Sequence, residues 1–256
     1  MKFCTVDGKR IEYLRLPSSH PRDAAPAMVF LHEGLGSLSM WRDFPQQVAD
    51  ACGCEAVVYS RYGYGRSDTL TEKRSPDFMH HEALVCLPTL LDQLQLQRPI
   101  LFGHSDGGSI ALIHAGAADR PLSAAIVMAP HVLVEDISIL SIEKARQVYL
   151  DTDLRQRLGK YHQDADSAFW GWNDIWLAPA FRDWNIEEFL APIACPVLAI
   201  QGEDDEYGTM DQIERIGRQC RDVELVKLAD CRHSPHKDQP QQVIAAVAEF
   251  VGRLLD

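Results

Sequence analysis

Short apolar runs alternate with helix-like stretches along most of this 256-residue chain. Short runs without polar alternation are typical of strands buried on both faces, and intervening helices cover a parallel sheet. The expected strands span residues 5–6 and 9–16 as a hairpin, then 27–31, 55–59, 99–102, 124–128, 196–200 and 223–228. We therefore predict an α/β fold with a mostly parallel, eight-stranded sheet flanked by helices. The hairpin adds antiparallel strands at one edge.

Helices are expected over residues 39–51, 78–94, 107–117, 210–219 and 239–254. The alternation breaks between residues 131 and 192, where the sequence is helix-like and has no convincing strand. We predict that residues 131–192 form a helical cap inserted into a core made of residues 1–130 and 193–256. An insertion at this point lies over the strand ends, where open α/β sheets bind ligands.

The expected cap is rich in tryptophan. It holds four of the five tryptophans of the chain, Trp170, Trp172, Trp176 and Trp184. Aromatic side chains bury large areas wherever they occur, so these rings either line a substrate pocket or form the core of the insertion itself. We assign Trp170, Trp172 and Trp176 to the pocket.

Composition excludes some classes of partner. The net charge of −12 argues against nucleic acid, which favours a basic face. The N-terminal residues lack an apolar signal-peptide core, and no apolar run has the length needed to cross a bilayer, so no membrane partner is expected. The seven cysteines are scattered, which is typical of free thiols in a reducing cytoplasm. No cofactor is expected, since the chain has no phosphate-binding glycine loop with lysine, and no metal cluster is needed.

A Gly-x-Ser-x-Gly turn, centred on Ser105, stands where the apolar run 99–102 meets the helix expected from residue 107. Two glycines permit a strained backbone that pushes the serine hydroxyl out of the turn, and the following helix directs N–H groups toward an oxyanion. Such a serine is suited to act as a nucleophile once a base takes its proton. One match of this kind is weak evidence, because a serine also commonly caps a helix.

Five motifs occur in an order that resembles the α/β-hydrolase family over nearly the whole chain. They are HEGLGS at residues 32–37, SRYGYGRS at 60–67, GHSDG at 103–107, GEDD at 202–205 and RHSPH at 232–236. They look like the family's oxyanion loop, the turn after its fourth strand, its nucleophile elbow, its acid turn and its histidine loop. The sequence departs from the family pattern at Glu33, where glycine is usual, and at Ser60, where aspartate is usual.

The resemblance implies a catalytic triad of Ser105 as nucleophile, His233 as base and Asp205 as the acid that orients the base. This chain order is the one that the family uses. His236 is the rival base, but the family's base comes first in its loop, so we favour His233 and expect His236 to pack locally. Asp204 is the rival acid, and a Gly-x-x-Asp spacing within GEDD favours Asp205.

The resemblance also implies an oxyanion hole made of the backbone N–H groups of Gly34 and Asp106, with the N–H of Glu33 as the fallback for Gly34. A carboxylate beside such a hole opposes negative charge there. We therefore favour a Glu33 side chain that turns away into a polar contact. His32 and His104 are expected to be structural.

These motifs predict a serine hydrolase that cleaves a small-molecule substrate, a largely apolar carboxylic ester, thioester or lactone, through an acyl-enzyme on Ser105. Serine at this position excludes relatives that use a carboxylate nucleophile. One alternative is a carbon–carbon bond hydrolase of aromatic ring-cleavage products, which needs polar groups to hold a dienoate carboxylate. The cap offers Arg146, Arg155, Arg157 and Lys160, although their spacing fits a solvated helix face. An alternative of another class is a ligand sensor that retains the triad without turnover.

Overall fold

The computed structural model describes residues 1–255 and contains one eight-stranded sheet. Its strands are β1 (Lys2–Val6), β2 (Lys9–Leu16), β3 (Met28–Leu31), β4 (Ala56–Tyr59), β5 (Ile100–His104), β6 (Ala124–Met128), β7 (Val197–Gly202) and β8 (Val223–Leu228). They lie in the order β1-β2-β4-β3-β5-β6-β7-β8. β2 pairs antiparallel with β1 and β4, and the other neighbours are parallel. The predicted mostly parallel, eight-stranded sheet is confirmed.

The apolar character of the central strands follows from burial on both faces of the sheet. Successive side chains of a strand point to opposite faces. In β3, Val29 and Leu31 belong to one apolar cluster, and Met28 and Phe30 belong to the other. Each face is covered by helices, so a polar residue on either face would be desolvated.

Ten α-helices accompany the sheet within the described residues. They are α1 (Phe44–Cys52), α2 (Phe78–His81), α3 (Leu87–Gln93), α4 (Asp106–Ala117), α5 (Asp136–Asp151), α6 (Leu154–Leu158), α7 (Ala165–Trp176), α8 (Asp211–Gln219), α9 (Pro235–Asp238) and α10 (Pro240–Leu255). None of the helices in residues 1–255 combines the length and apolar character that a membrane span requires.

Two predicted helices were wrong in extent. The stretch 78–94 is divided into α2 and α3 by a π-helical turn at Glu82–Cys86. The stretch 39–51 begins as a 3₁₀ turn at Leu38–Trp41, and α1 starts only at Phe44. Each of these turns ends within four residues of a proline, Pro45 or Pro88.

Residues 131–192, called the inserted segment below, run from β6 to β7 and contain α5, α6 and α7. Within it the described strand pairing is a single bridge between Leu133 and Asn185. The segment contacts loops that follow strand ends. His162 Nδ1 accepts a hydrogen bond of 3.0 Å from the Gly65 N–H, in the loop after β4.

Candidate active site

Ser105 stands in the turn between β5 and α4, with backbone angles φ 52° and ψ −121°. A positive φ is strained for a residue with a side chain and persists where the surrounding structure holds it. The flanking glycines make this turn possible. A Cβ atom at Gly103 would clash with the Gly107 carbonyl group, and one at Gly107 would clash with the Leu31 carbonyl group. The Gly-x-Ser-x-Gly pattern thus has a steric cause.

The Ser105 hydroxyl lies within hydrogen-bond reach of a histidine. Its Oγ is 2.9 Å from His233 Nε2. On the other side of the ring, His233 Nδ1 is 2.8 and 3.0 Å from the two carboxylate oxygens of Asp205. Asp205 follows β7 and His233 follows β8, so loops from three strand ends meet here. The structure brings together the three residues that the sequence assigned to a triad.

The two rival residues have other surroundings. The Asp204 side chain is exposed. Asp205 is buried, and its carboxylate accepts hydrogen bonds from the N–H groups of Tyr207 (2.8 Å) and Gly208 (3.3 Å). His236 is buried against Trp41, with ring centroids 4.9 Å apart. The loop geometry therefore favours Asp205 and His233 over their rivals.

Asp205 and His233 shift each other's pKa. Burial by itself lowers the pKa of His233, but the Asp205 charge and hydrogen bond outweigh it, so this pKa is raised above the usual imidazole value. Burial likewise acts to raise the pKa of Asp205, and the charge and hydrogen bond of His233 lower it below its usual value. Asp205 therefore stays ionised at neutral pH and stabilises an imidazolium at position 233.

The expected oxyanion donors start from adjacent strand ends. β3 and β5 are parallel neighbours, with Leu31 opposite Gly103. Asp106 is the first residue of α4, so its N–H is among those that a helix leaves without an internal partner. Gly34 follows β3 and lies against the Trp172 ring. The contact is so close that a Cβ atom at position 34 would clash with the indole Nε1. The Gly34 amide thus lies in the loop after β3 and the Asp106 amide at the start of α4, and their role as oxyanion donors stays a prediction.

The Glu33 carboxylate lies in a polar contact with His104 and Lys237. Its Oε2 is 3.5 Å from His104 Nδ1, and its Oε1 is 3.8 Å from Lys237 Nζ. Burial acts to raise the pKa of Glu33, but these two partners hold it well below its usual range. His104 Nε2 in turn lies 2.7 Å from the carbonyl oxygen of His233. Glu33 therefore supports, through His104, the loop that carries His233.

His32 and Arg61 brace the loops after β3 and β4. His32 Nε2 accepts a hydrogen bond of 3.0 Å from the Arg61 backbone N–H, and His32 Nδ1 lies 2.7 Å from the Glu33 carbonyl oxygen. The Arg61 guanidinium donates to the same carbonyl at 2.9 Å. His32 has the structural surroundings expected for it, whereas the burial of Arg61 was not foreseen.

His131 is a second residue that the sequence analysis missed. Its ring centroid lies 5.8 Å from that of His233 and 4.9 Å from that of Trp176. Burial lowers the pKa of His131 to about 3, so its ring is neutral and adds no charge beside His233. Its position three residues after the end of β6 was the available signal, because ligand sites collect at the carboxyl ends of parallel strands.

Two of the three tryptophans assigned to a pocket lie at this site. Trp172 packs against Gly34, and the Trp176 indole N–H donates to the Asp106 carboxylate at 3.2 Å. Trp170 packs within the inserted segment instead. Its ring centroid lies 5.6 Å from that of Tyr149, and the Arg146 guanidinium lies 5.6 Å from the Trp170 ring.

The cationic side chains considered for a dienoate carboxylate face other groups. Arg146, Arg155 and Arg157 form ion pairs with Asp174, Asp166 and Asp153 respectively. Lys160 is exposed. These contacts agree with a solvated helix face, which the spacing of these residues favoured over a binding site for a dienoate carboxylate.

One group of side chains elsewhere has the donor types of a metal centre. Ligand atoms of Asp7, His81 and Cys86 lie within 4.8 Å of one another. His81 Nε2 is 2.9 Å from the Asp7 carboxylate, and both side chains are half exposed. Burial raises the pKa of the Cys86 thiol, which disfavours the thiolate that binds metals. The group is accounted for by a hydrogen bond between His81 and Asp7 beside a neutral thiol.

The sequence model of the alpha/beta hydrolase family matches residues 28–247. The chain belongs to this family. The matched range includes the loops that carry Ser105, Asp205 and His233. The resemblance noted from five motifs is thus confirmed, and family membership indicates that the protein is a hydrolase.

Two relatives align with most of this α/β hydrolase. It is 25% identical over 212 residues to the AB hydrolase superfamily protein YisY of Bacillus subtilis (strain 168), an alignment that covers 73% of this chain and 78% of the relative. It is 22% identical over 258 residues to the sn-1-specific diacylglycerol lipase ABHD11 of Danio rerio. That alignment covers 90% of this chain and 79% of the relative. In both cases the alignment covers more than two thirds of each chain.

Solved structures share the fold at low sequence identity. A proline iminopeptidase of Mycobacterium smegmatis superposes with a TM-score of 0.80 at 17% identity, covering 99% of this chain and 98% of that one. A thermophilic esterase from Thermogutta terrifontis has a TM-score of 0.76 at 17% identity and covers 99% of both chains. A meta-cleavage product hydrolase from Pseudomonas fluorescens IP01 has a TM-score of 0.73 at 16% identity, covering 99% and 98%. These likenesses concern the fold alone.

Proposed function

We propose that this α/β hydrolase cleaves a small, largely apolar carboxylic ester, or a related thioester or lactone, through an acyl-enzyme on Ser105. The observation that carries the proposal is the hydrogen-bonded series Ser105–His233–Asp205, with contacts of 2.9 and 2.8 Å. The names of two similar proteins agree with it, since the relative from Danio rerio is a diacylglycerol lipase and one similar structure is an esterase.

In the proposed reaction, Ser105 Oγ attacks the ester carbonyl carbon while His233 Nε2 takes the hydroxyl proton. Asp205 holds the imidazole in the right tautomer and stabilises its charged form. The N–H groups of Gly34 and Asp106 stabilise the oxyanion of the tetrahedral intermediate. His233 then gives its proton to the departing alcohol, which leaves an acyl-enzyme. Water, deprotonated by His233, attacks the acyl carbon and releases the acid, regenerating Ser105.

We further propose that the inserted segment acts as the cap over this site. Its contacts with the loop after β4, through His162, and with the first residue of α4, through Trp176, support that role. Trp172 and Trp176 are the rings that meet the substrate. The proposed partner is a small-molecule substrate. We place the protein in the reducing cytoplasm, which is supported by its seven free thiols.

A panel of p-nitrophenyl esters from acetyl to octanoyl, assayed beside a ring-cleavage dienoate, tests this reaction class. We expect saturable turnover of the short esters and little turnover of the dienoate, since the arginines of the inserted segment are engaged in ion pairs. Turnover of the dienoate alone would establish the carbon–carbon bond hydrolase. Tight ligand binding with no turnover of any ester would establish the sensor.

The pH dependence of ester cleavage tests the coupling of Asp205 and His233. The imidazole must be neutral to accept the Ser105 proton, so kcat/KM falls as the pH decreases through the His233 pKa. This pKa is raised, so we expect a midpoint above the usual value of about 6.5. Asp205→Asn removes the charge that raises it, so the residual activity of this variant should persist to lower pH. A midpoint that stays unchanged in Asp205→Asn would contradict the coupling.

A further inference from the structure

The carbonyl oxygen of Glu33, in the loop after β3, accepts three hydrogen bonds. The donors are His32 Nδ1 at 2.7 Å, Arg61 Nη2 at 2.9 Å and the Gly36 N–H at 3.0 Å. A carbonyl oxygen has two lone pairs, so three donors saturate it. The direction of this C=O bond is therefore fixed from several sides.

The role of His32 as a donor follows from the bond that its other ring nitrogen makes. The backbone N–H of Arg61 lies 3.0 Å from His32 Nε2 and can only donate, so Nε2 carries no hydrogen. Burial and the Arg61 charge hold the pKa of His32 well below its usual value, so the ring is neutral and its single N–H is at Nδ1. Arg61 thus bonds the Glu33 carbonyl directly and also sets the tautomer of the second donor.

The Arg61 guanidinium connects the two chain segments that carry the proposed oxyanion donors. The side chain is buried, so water does not compete for its N–H groups. The same Nη2 that bonds the Glu33 oxygen lies 4.0 Å from Asp106 Oδ2. The Trp176 indole N–H holds the other oxygen of the Asp106 carboxylate at 3.2 Å. The loop after β3 and the start of α4 are therefore tied to one rigid, planar group.

The Glu33 carbonyl and the Gly34 N–H belong to one peptide group. A peptide group is planar, and in the trans form its C=O and N–H bonds point in opposite directions. No cis peptide bond occurs among residues 1–255. Donors that fix the direction of the Glu33 C=O therefore also fix the direction of the Gly34 N–H, which points away from Arg61 and His32.

The Gly34 N–H is left free for a ligand. Gly34 is buried, and its N–H makes no hydrogen bond to another residue among residues 1–255. Buried backbone N–H groups in native proteins are almost always paired. A free and firmly oriented amide agrees with the role of an oxyanion donor.

The bonds on the carbonyl also increase the strength of this donor. Hydrogen bonds accepted by a C=O group polarise the peptide and strengthen the bond that its N–H donates. A charged donor has the larger effect, and the guanidinium of Arg61 is the charged donor here. Arg61 therefore acts on the Gly34 amide both by direction and by polarisation.

We propose that Arg61, together with His32, positions the Gly34 N–H for the oxyanion by holding the Glu33 carbonyl. Arg61 acts through this peptide group and does not touch the reacting atoms, so it is a positioning residue. The inference rests on the proposed ester hydrolysis at Ser105. Loss of these hydrogen bonds should weaken the stabilisation of an oxyanion and leave the binding of an uncharged ester nearly unchanged.

Arg61→Lys keeps the positive charge and removes the planar guanidinium that bonds the carbonyl. For p-nitrophenyl butyrate we expect kcat to fall about tenfold and KM to stay within about twofold of wild type, because the lost interaction is made in the transition state. The pH midpoint of kcat/KM should not move, since the charge and the contacts between Asp205 and His233 are kept.

Two ketones separate oxyanion binding from general binding. Ser105 Oγ adds to the carbonyl carbon of trifluoromethyl butyl ketone, the hydroxyl proton passes to His233, and the carbonyl oxygen becomes an oxyanion. Methyl butyl ketone has the same chain and binds without this addition. We expect Arg61→Lys to weaken inhibition by the trifluoromethyl ketone about tenfold and to leave inhibition by the methyl ketone unchanged.

Arg120→Lys is the matched control for the guanidinium. Arg120 Nη2 donates to the Leu96 carbonyl at 3.3 Å, and Nη1 donates to the Asp92 carboxylate at 2.7 Å. Arg120 precedes β6, whereas Ser105 follows β5, so the two lie at opposite edges of the sheet. This variant should keep the wild-type inhibition by both ketones.

His32→Ala removes the second donor and has its own control. His114 is also buried, and its Nδ1 lies 2.8 Å from the carbonyl oxygen of Ala83. We expect both alanine variants to have a lower Tm. Only His32→Ala should weaken the trifluoromethyl ketone relative to the methyl ketone, by roughly fivefold.

The outcomes separate this inference from the proposed function. In a folded Arg61→Lys protein, unchanged inhibition by the trifluoromethyl ketone, or an equal loss for both ketones, would overturn the positioning role while ester hydrolysis stands. If Arg61→Lys does not fold, His32→Ala decides, and a ratio of the two ketones equal to that of His114→Ala would overturn the role. No turnover of any ester by the wild-type protein would overturn both proposals.

Discussion

Replacing Ser105 with alanine is expected to reduce kcat for ester hydrolysis by roughly 10⁴- to 10⁶-fold. The substitution removes the Oγ that lies 2.9 Å from His233 Nε2, and with it the covalent intermediate. The fold should persist, because the glycines that shape the turn are unchanged and a single hydrogen bond is lost. We expect Tm to shift by no more than about 2–4 °C. Steady-state kinetics and thermal unfolding measure the two effects.

Ser67→Ala is the matched control for the Ser105 variant. Its buried hydroxyl accepts a hydrogen bond from the Glu12 N–H (3.0 Å) and donates to the Ser60 carbonyl (2.6 Å), so its loss tests stability rather than chemistry. We expect a free energy of unfolding lower by about 1–3 kcal/mol and near-normal turnover of the remaining folded protein. Ester turnover by Ser105→Ala within tenfold of wild type would remove this residue from the mechanism.

The second large effect is expected at Asp205. Asp205→Asn should reduce kcat by roughly 10⁴-fold, because an amide cannot stabilise the imidazolium and favours the wrong tautomer of His233. The two carboxylate oxygens lie 2.8 and 3.0 Å from His233 Nδ1, and the substitution turns one of them into an amide NH2 and removes the negative charge. Asp204→Asn changes the preceding, exposed side chain in the same chemical way. We expect its kcat to stay within about twofold of wild type.

The pair of variants is informative because the two aspartates are adjacent in sequence and differ in burial. Thermal unfolding of both variants separates lost chemistry from lost structure. If Asp204→Asn reduced kcat more than Asp205→Asn, the role of the acid would pass to Asp204. That result would contradict the assignment drawn from the hydrogen bonds between Asp205 and His233.

The sheet was predictable because burial on both faces leaves a simple mark, a short run of apolar residues. The helix boundaries were predicted less well, although the prolines that explain the differences were visible in the sequence. Pro88 has no N–H and its ring clashes with the carbonyl four residues earlier, at Leu84. Leu84 lies inside the π-helical turn Glu82–Cys86, which accommodates the proline and divides the expected helix. Pro45 suits the first turn of a helix, which agrees with a start of α1 at Phe44.

The spacing of the tryptophans along the sequence also predicts which of them lie at the site. Trp172 and Trp176 are four residues apart and share one face of α7, whereas Trp170, two residues from Trp172, points to the opposite side. Helical periodicity therefore separates the two tryptophans at the site from the one that packs on Tyr149. The assignment of all three to a pocket ignored that signal.

The burial of Arg61 and Asp106 had no such signal. Arg61 follows β4 and Asp106 begins α4, charged residues are usually solvated, and 45 positions separate these two in the chain. Asp106 is covered in part by the inserted segment, whose Trp176 indole donates a hydrogen bond to its carboxylate. Contacts of this kind follow from tertiary packing between distant parts of the chain, which a periodic pattern does not encode.

Labelling with a fluorophosphonate tests the central claim most directly, because the probe reacts with a serine only when a neighbouring base activates it. Peptide mass spectrometry then locates the adduct. We expect stoichiometric labelling of Ser105 in the wild-type protein, strongly slowed labelling in His233→Ala and none at this position in Ser105→Ala. An unlabelled wild-type protein, or an adduct on a different serine, would contradict Ser105 as the activated nucleophile.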